Sequence, residues 1–150
     1  MRVFLILLYI VFAAGCADPG AVLDRNVELP GHNWSYANKL KYDIKIDDET
    51  ALYNLYFNLR VTGGYKYSNI FVIFNHGKGK TRYEFKLANP DGEWLGAGAG
   101  NLYAYRFPLR TQYKFPAKGT YHFEIEQNMR DNPLHEVSDA GLRVESEIMP

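Results

Sequence analysis

The chain is short of nearly everything that usually announces chemistry. Its 150 residues hold a single cysteine, Cys16, so no disulfide and no cysteine-based metal site can be built within it. Charge of one sign is not in excess: 17 basic residues balance 17 acidic ones. Capture of nucleic acid needs a basic patch, so that class of partner is not expected. The four histidines, His32, His76, His122 and His135, never stand three to five residues apart, as a local zinc pair requires. No Gly-x-Ser-x-Gly elbow occurs, and no stretch keeps helical spacing for long. Neither metal nor cofactor is expected, and an enzyme would need a site assembled wholly in space.

What is present begins with Met1 to Cys16. Arg2 precedes a continuous apolar run, Val3–Phe12, and the small residues Ala13-Ala14-Gly15 stand before the thiol. This is the layout of a secretory signal. The run is too short to cross a ~30 Å hydrocarbon core, which takes about 20 helical residues. Small residues directly before a lone Cys resemble a bacterial lipobox, although Ala13 stands where such sites usually carry Leu. Cleavage after Gly15 and acylation of Cys16 would then hold the chain to a membrane of the cell envelope, on its periplasmic side. Each buried CH₂ adds about 0.8 kcal/mol, so several chains anchor stably. An ordinary cleaved signal with an incidental thiol is the rival reading.

Residues 16–38 read as the lipidated Cys and a polar tether, with a possible first strand around Val22–Leu29 and with Trp34 docking where order begins. Such a tether would let the domain sit some tens of Å from the bilayer. Residues 39–150 form the domain. Twelve Tyr and nine Phe point to an aromatic-rich β core. Leu40, Tyr42, Ile44 and Ile46 alternate with Lys41, Asp43 and Lys45, and Tyr53–Val61 continues the period of two. Ile70–Phe74 is apolar on both faces, and Asn89-Pro90-Asp91-Gly92 is a strong turn. About eight strands with turns at short spacing predict an all-β fold, an antiparallel β-sandwich.

Other candidates are each outweighed. Gly96-Ala97-Gly98-Ala99-Gly100 lacks the helix and Lys-Ser/Thr of a phosphate loop, and bares one strand face for a neighbouring aromatic. Asp47-Asp48-Glu49 lacks the spaced ligands of a calcium loop. Glu124 and Glu126 share a strand face, where solvated carboxylates are commoner than a glycosidase pair. The block from Asn128 to Ala140 breaks the alternation. Around it Gln127, Met129, Arg130, Asp139 and Arg143 read either as a bend pinned by Arg–carboxylate bonds or as a partner surface. Trp94 is a candidate exposed aromatic, the basis of an alternative reading as a carbohydrate-binding envelope lipoprotein.

Several pieces in order resemble one family. They are Cys16, Trp34, Asn58-Leu59-Arg60, Tyr65-x-Tyr67-x-Asn69 and Asp91-Gly92-x-Trp94-Leu95-Gly96-x-Gly98-x-Gly100. There follow Gly119-x-Tyr121-x-Phe123, Gln127-x-Met129-Arg130, Leu134 and Val137-x-Asp139-x-Gly141-Leu142-Arg143. Together they are similar to the gliding motility lipoprotein GldH family of the Bacteroidota. The departures, Asn69-Ile70 for Asn-Leu and Ala140 for Val or Ile, are mild. The resemblance implies a lipid-anchored envelope protein that supports gliding and type IX secretion, with other proteins of that machinery as partners. It implies no catalytic activity.

Overall fold

The computed structural model describes Asp18 and residues 20–147. The expected signal segment, residues 1–15, and Cys16 lie outside the described residues. Eight strands of seven or more residues carry the fold: β1 (Ala21–Glu28), β3 (Leu40–Ile46), β4 (Tyr53–Thr62), β5 (Asn69–Asn75), β6 (Lys80–Lys86), β8 (Leu102–Tyr113), β9 (Gly119–Gln127) and β11 (Val137–Ser146). Among the described residues there are also three shorter strands, β2 (Asn33–Trp34), β7 (Ala97–Ala99) and β10 (Leu134–His135), and a 3-10 turn at Pro30–His32.

All pairings are antiparallel. One sheet runs β1-β11-β4-β8-β7, a second runs β3-β9-β5-β6, and β10 pairs with β2 as a two-stranded flap. The period of two decides which side chains meet between the sheets. In β3 the residues Leu40, Tyr42, Ile44 and Ile46 are buried and the lysines between them are exposed. In β4 the inward set is Tyr53, Leu55, Phe57, Leu59 and Val61. Aromatic rings join the two layers. Phe57 of the first sheet stacks on Phe85 of the second at 5.9 Å, and Phe85 stacks on Phe107 at 4.4 Å.

The glycine-alanine stretch is an edge strand, and aromatics lie against its glycines. A Cβ on Gly96 would meet the Tyr105 ring at 2.6 Å, and one on Gly98 would meet Tyr103 at 3.5 Å. The Tyr105 hydroxyl reaches past this edge to donate to the Leu87 carbonyl at 2.6 Å.

Two expectations are corrected. Residues 21–38 are part of the domain, because β1 pairs along its length with β11 and Trp34 is wholly buried, its indole N–H donating to the Asn38 carbonyl at 2.9 Å. The expected boundary at residue 39 therefore falls inside the sandwich. In the block from Asn128 to Ala140, expected to be patternless, a strand starts at Val137. Ala140 and Gly141 are poor strand formers in isolation. Here they are held between β1 and β4, where small residues allow close approach.

Candidate functional site

The inner faces of β1, β11, β4 and β8 build the core, so register decides what their outer faces carry. Asn58 lies opposite Gly141 on one side and Arg106 on the other. Arg60 lies opposite Asp139 and Ala104, and Asp24 lies opposite Arg143. Side chains from four strands thus share one outer surface.

They form a continuous polar network. Arg60 Nε donates to Asp139 Oδ2 at 2.7 Å, and Asn26 Nδ2 donates to Asp139 Oδ1 at 2.8 Å. Asn58 Nδ2 reaches Asp24 Oδ1 at 3.0 Å and Asn26 Oδ1 at 3.1 Å, while its Oδ1 accepts from Arg106 Nε at 3.0 Å. Arg143 donates to Asp24 Oδ2 at 2.7 Å and to Glu145 Oε2 at 2.8 Å, and also to Asp18. Gly141 makes room at the centre. A Cβ there would sit 2.3 Å from both the Arg25 carbonyl oxygen and Asn26 Oδ1.

Charge-assisted bonds of this kind are short and directional, so the surface is preorganised. The Arg143 guanidinium, hydrogen-bonded to the Asp18 side chain, holds that carboxyl below its ordinary 3.8. The same bond, joined by Asp24 and Glu145, pushes Arg143 upward, against the opposing effect of burial.

A groove of about 610 Å³ opens above this network, lined by Asp24, Asn26, Asn58, Arg60, Ala104 and Arg106 among others. The network beneath it and its rim differ in exposure. Asp139 is 1% exposed at the side chain, whereas Arg60 and Arg106 are 46% and 50% exposed. Both arginines use Nε toward the sheet. Among the described residues, no partner holds the Nη atoms of Arg60, which leaves a planar donor fork facing the groove. Ala104 beside it is too small to fill the space.

The residues singled out from the sequence divide in two. Asp139 and Arg143 belong to this network, though buried within it. Gln127 and Met129 are also buried. Gln127 Oε1 accepts from the Met129 amide at 2.7 Å and its Nε2 donates to the Asp131 carbonyl at 3.0 Å, so Gln127 holds the bend from inside. Met129 Sδ accepts from the Phe71 amide at 3.2 Å. Arg130 alone of the five is exposed, over a hollow of about 400 Å³ shared with Tyr67, Phe71 and Arg82.

Among the described residues the arginines and aspartates of this block do not pair with one another: its Arg–carboxylate bonds run outward, from Arg143 to Asp24 and Glu145 and from Arg60 to Asp139. Asp131 takes the Tyr67 hydroxyl at 2.8 Å and Lys66 at 3.7 Å, and Asp139 takes Arg60. Trp94 is half-buried, with its ring 5.3 Å from Tyr103 and 6.5 Å from Tyr65. It is a packing residue more than a platform. Among the described residues, no group of three or more His, Cys, Asp or Glu is placed to hold a metal ion, and no helix is long and apolar enough to cross a membrane.

Sequence reasoning missed Asp18, Asp24, Asn26, Asn58, Arg60 and Arg106 as a site. Alternate polar positions opposite apolar ones were visible in each strand. Which strands would lie side by side was not.

The chain is thus a small all-β domain, an antiparallel sandwich with a hydrogen-bonded polar groove on one outer sheet face. The chain belongs to the GldH lipoprotein family, whose sequence model matches residues 21–144. It is 30% identical over 155 residues to the gliding motility lipoprotein GldH homolog of Christiangramia forsetii, covering 95% of this chain and 94% of that one. It is 29% identical over 153 residues to the gliding motility lipoprotein GldH of Flavobacterium johnsoniae, with 94% of each covered. No solved structure matches.

Proposed function

We propose that this protein is anchored to a membrane of the cell envelope through acylated Cys16 and supports gliding motility and type IX secretion as a non-catalytic interaction module. The observation that carries the reading is the groove over the Asn58–Asp139–Arg143 network, an open, hydrogen-bonded surface with the donor fork of Arg60 at its rim and Arg106 beside it, one Nη 3.6 Å from Asp24. Its partner is another protein of that machinery. Arg130, on the hollow beside Phe71, is a second contact point. The lipoprotein family and the names of both relatives support the anchored role in gliding.

Deleting the gene in its own host and restoring it as intact and Cys16→Ser copies tests the anchor. Colony spreading and secreted protein should fall in the deletion and return only with the intact copy. Full rescue by Cys16→Ser would contradict it. Cross-linked pull-downs of Arg130→Ala test the second contact, with weakened association expected from a folded domain.

The carbohydrate-binding alternative loses its first support, because the Trp94 ring packs on Tyr103 and Tyr65 instead of lying flat and free.

A further inference from the structure

Asp18, the first of the described residues, is held to the sandwich by its own side chain. Asp18 bonds to Arg143, which is only 7% exposed. Its Oδ1 also accepts from the Gly20 amide at 3.3 Å, and its carbonyl accepts from Ala21 at 3.1 Å. Gly20 is buried, and its carbonyl accepts from the Ser146 amide at 2.8 Å. Only Ala17 separates this fixed point from Cys16. Two residue steps span at most about 7 Å. The long tether expected from composition is therefore absent, and an acyl-anchored Cys16 brings the domain against the headgroups.

Register identifies which end comes down. Ala21 pairs with Glu145, Ser146 with Tyr53, and Tyr53 with Tyr113. In the other sheet Ile46 pairs with Gly119. The loops over 47–52 and 114–118 therefore lie at the same end as Asp18, and so does the turn over 76–79: β5 runs toward the start of β9, and His76, Gly77 and Lys78 share a hollow with Tyr113, Pro116 and Thr120. Exposed Lys78, Lys114 and Lys118 stand here beside Asp47 and Asp48, a mixed polar surface suited to zwitterionic and anionic headgroups. The segments over 89–101 and 128–136 lie at the opposite end. Ten residues of β4 at about 3.3 Å each separate the two ends by about 30 Å.

We infer that the end of the sandwich carrying Asp18 is a bilayer-facing surface, held there by the Asp18–Arg143 contact, with the Trp94 and Arg130 loops projected away from the membrane. This rests on acylation of Cys16 as proposed above. It adds the orientation, and a function for Asp18.

The full-length acylated protein is reconstituted in phosphatidylethanolamine–phosphatidylglycerol vesicles that contain a headgroup spin-labelled lipid. Acylation consumes Cys16, so one introduced thiol carries one fluorophore. Lys114→Cys labels the near end and Asp91→Cys the far end. Several-fold stronger quenching at position 114 is expected, and Asp18→Ala should reduce that difference at least twofold. Equal quenching, the result for a domain lying on its sheet face, overturns the inference, as does stronger quenching at 91. An unchanged difference in Asp18→Ala overturns the role of the contact. The intact mass separates the two readings: unmodified Cys16 overturns the anchor itself, whereas acylated protein with equal quenching overturns only the orientation.

Discussion

Arg60 and Asp139 face each other across the β4–β11 pairing, with Nε 2.7 Å from Oδ2, and the aspartate is sealed at 1% exposure while the arginine is half in solvent. The pair joins the buried floor of the network to the open groove. Asp139 also accepts from Asn26 and from the Ser138 hydroxyl at 3.1 Å, so three donors converge on one carboxylate.

Asp139→Ala leaves those donors without their acceptor. Loss of a buried charged partner costs roughly 3 kcal/mol. Urea unfolding should show that loss, and the midpoint of thermal unfolding should fall by on the order of 10 °C. A variant as stable as the parent would show that the network carries no folding energy.

Gly141→Ala meets backbone. The added Cβ would lie 2.3 Å from the Arg25 carbonyl oxygen and 2.7 Å from Asn26 Cα, neither of which is a flexible side-chain end. Separating β1 from β11 to make room should cost about 2–3 kcal/mol. Hydrogen exchange should locate the effect in the amides of β1, with β5 and β6 little changed.

A chain beginning at Leu40 lacks β1 and Trp34. Removing a buried tryptophan alone costs about 3–5 kcal/mol, a large part of a typical domain's stability. Near-ultraviolet circular dichroism should show no fixed aromatic packing in this fragment. A cooperative unfolding transition would restore the boundary that composition suggests.

Stability should fall in acid, with Asp18 as one identifiable contributor. Its carboxyl is depressed in the folded state by the Arg143 hydrogen bond, and that of Asp48 by Thr50. A depressed carboxyl contributes stability in full above its ordinary value of 3.8, and the contribution is lost as pH falls through the lower folded value. Below about pH 4 the protection of the amides near Gly20, relative to their intrinsic exchange rates, should fall ahead of global unfolding. In Asp18→Asn that protection should already be low and should not change with pH over the same range.

Much of the fold was legible because the core strands alternate cleanly. Leu40–Ile46 and Tyr53–Val61 carry their faces in the sequence, and the eight longer strands match the number expected. The first strand was legible only as a possibility: Val22, Leu23 and Val27 give a broken pattern, and β1 is an edge strand with much of its length exposed. The groove was not legible. Asn58 and Arg60 read locally as a solvent face, and only the pairing of β4 with β11 and β8 brings Asp139, Arg143 and Arg106 beside them. Gln127 misled in the opposite direction. A polar residue at a strand end suggests a surface, yet its amide satisfies backbone groups inside the bend.

The groove is the centre of the functional proposal, and Ala104 tests it with the least damage. Ala104 lines the groove opposite Arg60 and makes no side-chain bond in the network. Ala104→Gln fills the space above the network while leaving every hydrogen bond below it intact. Colony spreading is measured in a gene-deletion strain carrying this copy at the level of the intact one. The account predicts spreading close to that of the deletion, from a protein that unfolds at the parental temperature. Full spreading by a stable Ala104→Gln protein would contradict it.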